Sequence, residues 1–382
     1  MFGTITARDL AARLDRGDES YVLIDTRPAE SYDSWRVTGA ENVPFGPAEG
    51  LSDDQRDRIT ELADGDEVLT ICGKGATSTR LASELDADGF SDVSVVTGGM
   101  RAWNELYETA TVETASDDLI VRQFQRRAKG CLSYLVGSER AGEAIVVDPT
   151  RHTDQYITTA AEHGLQITGV LDTHVHADHI SGGRELATRL DVPYYLGEKA
   201  TERDLAVDFE PLSDGETLSI GNNEIETLAT PGHTTEMVAY RVDDVVLTGD
   251  SLFLDSVGRT ELEFGEEGAE AGARMQYETL HDTLLELPDE LIVLPGHVTV
   301  HDDGTYATAE PGELVGAKLG DVHARLDLVD LDEDAFVERM IDNIPEKPDN
   351  YETIIAINRG VASTENDTEA TTLETGANNC AA

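Results

Sequence analysis

Two α/β units in tandem are what this 382-residue sequence predicts. Three observations carry that expectation. Short apolar runs bounded by Gly and Pro alternate with helical stretches in two successive blocks, the pattern of parallel strands joined through helices. A small, polar stretch separates the blocks. The chain is also long for one hydrophobic core and comfortable for two.

The elements follow in order. Residues 7–16 read as a short helix, 21–24 (YVLI) as a buried strand ending at Asp25, and 68–71 as a second strand ending at Cys72. A helix is expected over 77–88, stopping at Gly89, and a third strand over 93–96 before Gly98-Gly99. Residues 109–118 (TATVETASDD) show no apolar period. A first domain over 1–110 and a linker over 111–118 are therefore expected. A second domain is expected over 119–363. It opens with apolar runs at 131–136 and 144–147, then a strand over 167–171, a His-rich loop and a helix over 183–190. Strands follow at 224–228, 237–242 and 245–247, the last two joined by a turn at Asp243-Asp244. A long helix over 268–287 precedes a strand at 291–294. Beyond residue 330 the pattern is helical and acidic. Residues 364–382 are polar and of low complexity, and disorder is expected there. Cys380 falls in that tail as an inert thiol. There is no internal repeat.

Charge is the unusual compositional feature: Lys+Arg total 28 against 77 Asp+Glu, a net of −49. The acid is spread along the chain with no single block. Such a field repels nucleic acid and anionic membranes, which excludes both as primary partners. It is the composition expected of a protein working in high salt, where screening removes the self-repulsion. Three cysteines cannot build a disulfide framework at this length. A reducing, cytoplasmic setting fits, and it leaves a well-placed cysteine free for chemistry. The N-terminus lacks the apolar core of a signal peptide, and no run of apolar residues is long enough to span a bilayer.

Cys72 lies in I-C-G-K-G-A-T-S, between a strand and a helix. Loop N–H groups and a helix N-terminus converge there and favour an anion. A thiolate so placed should have a lowered pKa and be reactive, and Lys74 adds a positive charge. V-L-I-D-T-R-P-A-E-S-Y, V-T-G-A-E-N-V-P, the cysteine loop and V-V-T-G-G-M-R-A-W, in that order and spacing, resemble the rhodanese domain over about residues 3–108. The resemblance implies an α/β domain with a parallel sheet and flanking helices. It implies that Cys72 carries sulfane sulfur as a persulfide, cradled by Gly73, Lys74, Gly75, Ala76, Thr77 and Ser78. Many rhodaneses have an arginine where this chain has Thr77, which points away from anionic thiosulfate as donor. Asp25 and Arg27 are expected to form a structural charge pair.

T-H-V-H-A-D-H-I-S-G-G places His174, His176, Asp178 and His179 just after a buried strand, in a chain with only 10 histidines. T-P-G-H, L-T-G-D and L-P-G-H add His233, Asp250 and His297, each at the end of an apolar run. Pro-Gly makes a tight turn that can aim a side chain into a site. Imidazole and carboxylate form the ligand set for zinc, manganese or iron. The complete H-x-H-x-D-H motif with the later His, Asp and His resembles the metallo-β-lactamase superfamily over about residues 119–300. The implied fold is an αββα sandwich with a metal site at one edge of its sheets.

That superfamily hosts several reactions. In its persulfide dioxygenase branch the resemblance implies one Fe(II) per chain, held by His174, His233 and Asp250, with open positions for O₂ and a low-molecular-weight thiol persulfide that is oxidised to sulfite. His176, Asp178, His179 and His297 would then orient ligands and line the pocket. In the glyoxalase II branch it implies two Zn ions and a thioester hydrolase. His174, His176 and His233 would bind one zinc, Asp178, His179 and His297 the other, and Asp250 would bridge. A rhodanese-like partner favours the dioxygenase, since a tethered carrier raises the local concentration of its cargo. So does L-T-G-D-S-L-F-L-D-S-V-G-R-T-E, which resembles the dioxygenase branch and suggests Arg259 as a contact for a substrate carboxylate. Cys131, in an early strand similar to that branch, reads as core. A homodimer through the metal domain is expected on family grounds.

Overall fold

The computed structural model describes residues 1–46, 48, 50–344, 347–348 and 350–375. The first unit is a five-stranded, wholly parallel sheet in the order Gly3–Ile5, Val93–Val96, Glu67–Ile71, Tyr21–Asp25, Ala40–Asn42. Central strands buried on both faces read as continuous apolar runs, as in Val68, Leu69 and Ile71. One core lies around Leu10, Leu69 and Trp103, and the other around Ile24, Ile59 and Leu81. Cys72 follows the carboxyl end of Glu67–Ile71, and the helix Ala76–Ala87 leads away from it.

The second unit is a two-sheet sandwich. Its seven-stranded sheet runs Glu210–Leu212, Tyr194–Gly197, Gln166–Leu171, Glu143–Val147, Leu132–Ser138, Leu119–Arg126, Tyr107–Val112. Its six-stranded sheet runs Thr217–Ile220, Asn223–Ala229, Val238–Val242, Val245–Gly249, Ile292–Pro295, Ala317–Lys318. Val121, Tyr134, Leu247 and Val293 meet in the core between the sheets. The helices Asp154–Glu162 and Gly183–Leu190 cover the outer face of the first sheet through Tyr156, Ala160 and Leu186. The helix Glu261–Thr279 adds Ala273 to the main core. Gly265, at a positive φ of 70°, kinks it, so a short helical piece precedes the long helix expected from residue 268.

Two expected boundaries are corrected. Residues 107–112 are an edge strand of the second unit, paired with Leu119–Arg126 from Tyr107↔Arg126 to Val112↔Val121. Ala110 and Val112 are buried while Thr109 and Thr111 are exposed, a period of two carried by small residues. The first domain therefore does not extend to residue 110, and only the turn at 113–118 connects strand to strand. The expected disordered tail is likewise structured as far as residue 375. Asn366 caps the helix Asp367–Leu373 by accepting from the Glu369 amide at 3.1 Å. Glu374 is fully buried against Arg126 (2.9 Å) and Arg151 (2.7 Å). Residues 376–382, with Cys380, lie outside the described residues.

Burial opposes ionisation of Glu374, but Arg126 and Arg151 outweigh it and hold its carboxyl at about 2, below the ordinary 4.5. A carboxylate whose pKa is lower folded than unfolded stabilises the folded state above the unfolded value and loses that contribution as pH falls through the folded one. Docking of the terminal helix should therefore be unchanged down to about pH 5 and weaken progressively toward pH 2. Hydrogen exchange of residues 367–373 across that range checks it, and a loss of protection at neutral pH would contradict it.

Candidate metal centre and cysteine loop

All seven expected metal residues lie at the carboxyl ends of strands on one edge of the sandwich. His174, His176, Asp178 and His179 occupy the loop after Gln166–Leu171. His233 follows Asn223–Ala229, Asp250 follows Val245–Gly249, and His297 follows Ile292–Pro295. Every one is buried. A close approach makes this possible: a Cβ on Gly296 would lie 2.5 Å from Asp250 Oδ1, so only glycine lets that strand end pass the carboxylate.

The ligand atoms of His174, His233 and Asp250 converge within 4.8 Å of one another. Asp250 Oδ2 faces His174 Nε2 at 3.9 Å and His233 Nε2 at 3.8 Å. Neither His174 Nε2 nor Asp250 Oδ2 has a hydrogen-bond partner, although both are buried. Orphaned buried lone pairs are costly, and a cation is the group that would satisfy them together. The tautomers suit this. Thr173 donates its hydroxyl to Asp148 (3.0 Å) and so accepts from His174 Nδ1 (2.9 Å). His233 Nδ1 donates to the Arg259 carbonyl at 2.6 Å. Each ring is thus left with an unprotonated Nε2 toward the centre. Burial first, and then the neighbouring His176 and His233, push His174 well below the ordinary imidazole range, which keeps it neutral and able to ligate.

The remaining residues form an adjoining half. Asp178 Oδ2 lies 3.0 Å from His179 Nδ1 and 3.7 Å from His297 Nε2, and His297 Nδ1 lies 3.9 Å from Asp250 Oδ1. His176 turns its Nε2 to Asp148 at 3.2 Å. Burial opposes charge on His179 and His297, but Asp178 outweighs it and holds both well above the ordinary imidazole range.

Two residues not singled out from the sequence, Asp148 and Glu236, belong to this centre, and so does Cys131, which was read only as core. Asp148 ends a strand in the left-handed region (φ 52°) and accepts from the Thr173 amide at 2.6 Å, so it organises both His174 and His176. Glu236 accepts from the Val175 amide at 2.9 Å and is ion-paired to Arg203. Cys131 is buried as expected of core, but its thiol lies 3.3 Å from Asp178 Oδ2, within the same cluster as His297. Burial and Asp178 raise the thiol, yet His179 and His297 outweigh them and bring it to about 7.

Arg259, expected as a contact for a substrate carboxylate, is 1% exposed, and its Nε donates to Glu261 Oε1 at 2.6 Å. The guanidinium is held in this buried ion pair, and the Arg259 carbonyl accepts from His233 Nδ1. Replacing Arg259 with Ala should cost about 3–5 kcal/mol by leaving Glu261 buried and uncompensated. Chemical denaturation measures this, and a change under about 1 kcal/mol would refute the pair's structural role.

In the first unit, Cys72 is 4% exposed and its Sγ accepts from the Gly75 amide at 3.1 Å and the Ser78 hydroxyl at 3.4 Å. Gly73, Lys74 and Ala76 are exposed around it, Thr77 is half-buried, and Ser78 is buried. A Cβ on Gly99 would come within 2.0 Å of the Cys72 carbonyl, so glycine there lets the helix Gly99–Asn104 abut the loop. Asp25 and Arg27 form the expected pair at 2.7 Å.

A parallel-sheet cysteine-loop domain followed by a two-sheet sandwich with a His/Asp centre defines the class. A family model described as metallo-beta-lactamase superfamily matches residues 126–297, and one described as rhodanese-like domain matches residues 6–106. The chain belongs to the metallo-β-lactamase superfamily and carries a rhodanese-like domain ahead of it. It is 28% identical to persulfide dioxygenase ETHE1, mitochondrial, of Homo sapiens over 53% of this chain and 76% of that protein. It is 30% identical to a hydroxyacylglutathione hydrolase of Polaromonas sp. over 49% of this chain and 69% of that protein. The crystal structure of ETHE1 from Myxococcus xanthus superposes with a TM-score of 0.55 at 27% identity, covering 64% of this chain and 100% of that one. Among the described residues no helix is long and apolar enough to cross a membrane.

Proposed function

We propose that the protein is a persulfide dioxygenase with a sulfurtransferase domain, oxidising a low-molecular-weight thiol persulfide to sulfite. The observation that carries this reading is the convergence of His174, His233 and Asp250 on one centre, with His176 grouped instead with Asp178 and His179 and with Asp148 and Asp172. Two imidazoles and one carboxylate form the facial set that suits a mononuclear iron with open positions. Bound there, Fe(II) would supply the redox centre at which dioxygen meets the persulfide. The outer sulfur is oxidised, the thiol is released, and water provides the remaining oxygen. The chain's own residues hold the ligands' tautomers, exclude bulk water by burial, and present Cys72 as an acceptor or donor of sulfane sulfur. Likeness to the human persulfide dioxygenase supports the reading, as does a rhodanese-like domain on the same chain. The net charge of −49 supports a salt-rich cytoplasm as its setting.

A second reading has its own observation. Asp250 turns Oδ2 to His174 and His233 but Oδ1 to His297, as a bridging carboxylate would. That is the arrangement of a dinuclear zinc thioester hydrolase, to which the 30% identity with a hydroxyacylglutathione hydrolase adds support. Elemental mass spectrometry on protein purified without oxygen in high salt separates the two. About one iron per chain, with sulfite formed and O₂ consumed from thiol persulfide, supports the dioxygenase; about two zinc per chain supports the hydrolase.

A further inference from the structure

Residues 351–375 lie beyond both family matches, yet two of their side chains grip the backbone of the metal loop. Asn358, at the end of the helix Tyr351–Asn358, donates from Nδ2 to the His176 carbonyl (2.8 Å) and the His179 carbonyl (2.9 Å), and accepts at Oδ1 from the Ser181 amide (2.9 Å). Both amide protons and the carbonyl are thereby spent on one six-residue stretch. Glu374 accepts from the next amide, Ile180, at 2.9 Å, and its other oxygen is held by Arg126 and Arg151. Ile180, Ile357 and Ala370 pack into a small apolar seal beneath these bonds.

The anchored residues are themselves the bearers of candidate ligands. The loop is tied down at its two ends, where the Val175 amide binds Glu236 and where Ser181 bridges Thr150 and the Ile180 carbonyl accepts from the Arg151 amide; between them the Cα positions of His176, Asp178 and His179 depend on the side chains that hold their peptide groups. Metal–ligand distances tolerate only about 0.2 Å of error. Arg126, which holds Glu374, also donates through its backbone amide to the Cys131 carbonyl at 2.9 Å and through Nε to the Asn104 carbonyl at 2.9 Å. The helix ending at Asn104 begins with amides that bind the Cys72 and Gly73 carbonyls at 2.8 and 3.0 Å. The same carboxylate thus sits where the metal loop, the Cys131 strand and the first unit meet.

We infer that Asn358 and Glu374 are positioning residues for the metal centre, fixing the 176–181 backbone so that its side chains meet the ion in a single geometry. The inference rests on the 174–179 loop binding metal, and it holds for either reaction proposed above. The test uses the full chain reconstituted with Co(II), whose visible spectrum reports ligand geometry. Asn358→Ala should release Co(II) to a competing chelator about 10- to 100-fold faster than the unaltered protein and show shifted visible bands, as expected when a partner behind the ligands is lost. Asn358→Asp, which turns an oxygen toward both carbonyls, should match or exceed that effect. Glu374→Gln keeps the acceptor for Ile180 and should be milder. In both Asn358 variants the melting temperature of the metal-free protein and the alkylation rate of Cys72 should stay near those of the unaltered chain, whereas Glu374→Gln, which leaves Arg126 and Arg151 without their carboxylate, should lower the melting temperature. Unchanged Co(II) release and spectrum in Asn358→Ala and Asn358→Asp would overturn the inference. Faster release that merely tracks an equal loss of metal-free stability would do the same. An unaltered chain that takes up no Co(II) would overturn both the inference and the metal-site reading beneath it.

Discussion

Replacing His233 with alanine should leave a folded protein that has lost nearly all its metal, from about one ion per chain to under about a tenth, with oxidation of thiol persulfide lost in parallel. His233 is one of three groups whose lone pairs point at a common centre, and its Nδ1 side is already committed to the Arg259 carbonyl. Asp250→Ala should be as severe, because Asp250 faces both halves of the site. His176→Ala separates the two readings. In a mononuclear site its Nε2 belongs to Asp148, and the metal should survive the change. In a dinuclear site it is a ligand, and one metal should go. Elemental analysis of the three variants, with circular dichroism to establish folding, decides the matter. Full occupancy in His233→Ala or Asp250→Ala would refute the ligand assignment.

The residues of the candidate metal centre were legible in the sequence because they stand in short, strand-terminating motifs. His174 to His179 follow an apolar run, and His233, Asp250 and His297 each follow a Gly that ends one. The groups behind them were not legible, for a physical reason in each case. Asp148 is an ordinary strand-end acid, and only its left-handed backbone and its place beside Thr173 give it a role. Glu236 reaches the Val175 amide across 61 residues. Cys131 looks like a small hydrophobe in an apolar strand, and its position beside Asp178 comes from pairing with the segment around His297. At Arg259 a Gly-Arg element near the His/Asp centre suggests a substrate contact, and its pairing with Glu261 two residues on inside the fold was not legible.

The boundaries show the same limit. Residues 109–112 fall in the stretch read as lacking an apolar period because Thr, Ala and Val are too small to mark one, while the ladder to Leu119–Arg126 is made by backbone groups that any residue supplies. The terminal helix reads as disordered because its composition is polar and acidic. Its docking is made by the buried Glu374 carboxylate between Arg126 and Arg151, by Asp367 pairing with Arg101 and Arg151, and by Ala370 against Ile180 and Ile357; scattered contacts of this kind carry no local signal in a chain with 77 acids.

Cys72→Ser should abolish sulfur transfer, a loss of more than about a thousandfold, while leaving oxygen uptake on free thiol persulfide within about twofold of the unaltered protein. The loop is suited to the substitution. Sγ accepts from the Gly75 amide and the Ser78 hydroxyl, and a serine oxygen can take both bonds. The cradle and the helix Gly99–Asn104 packed on it should therefore be preserved. What is lost is the soft nucleophile, since only a thiolate can accept the outer sulfur of a persulfide and give it up again. Two separate chemistries on one chain predict two separable losses. When sulfur must first be loaded on Cys72, the variant should fail at both steps; when thiol persulfide is given directly, it should fail at one. Tethering explains why the domains would be joined at all: sulfur released from the cysteine loop meets the metal centre at an effective concentration set by the fold rather than by the cell. If Cys72→Ser loses oxygen uptake on free persulfide with its metal still bound, the division of labour between the two units is wrong.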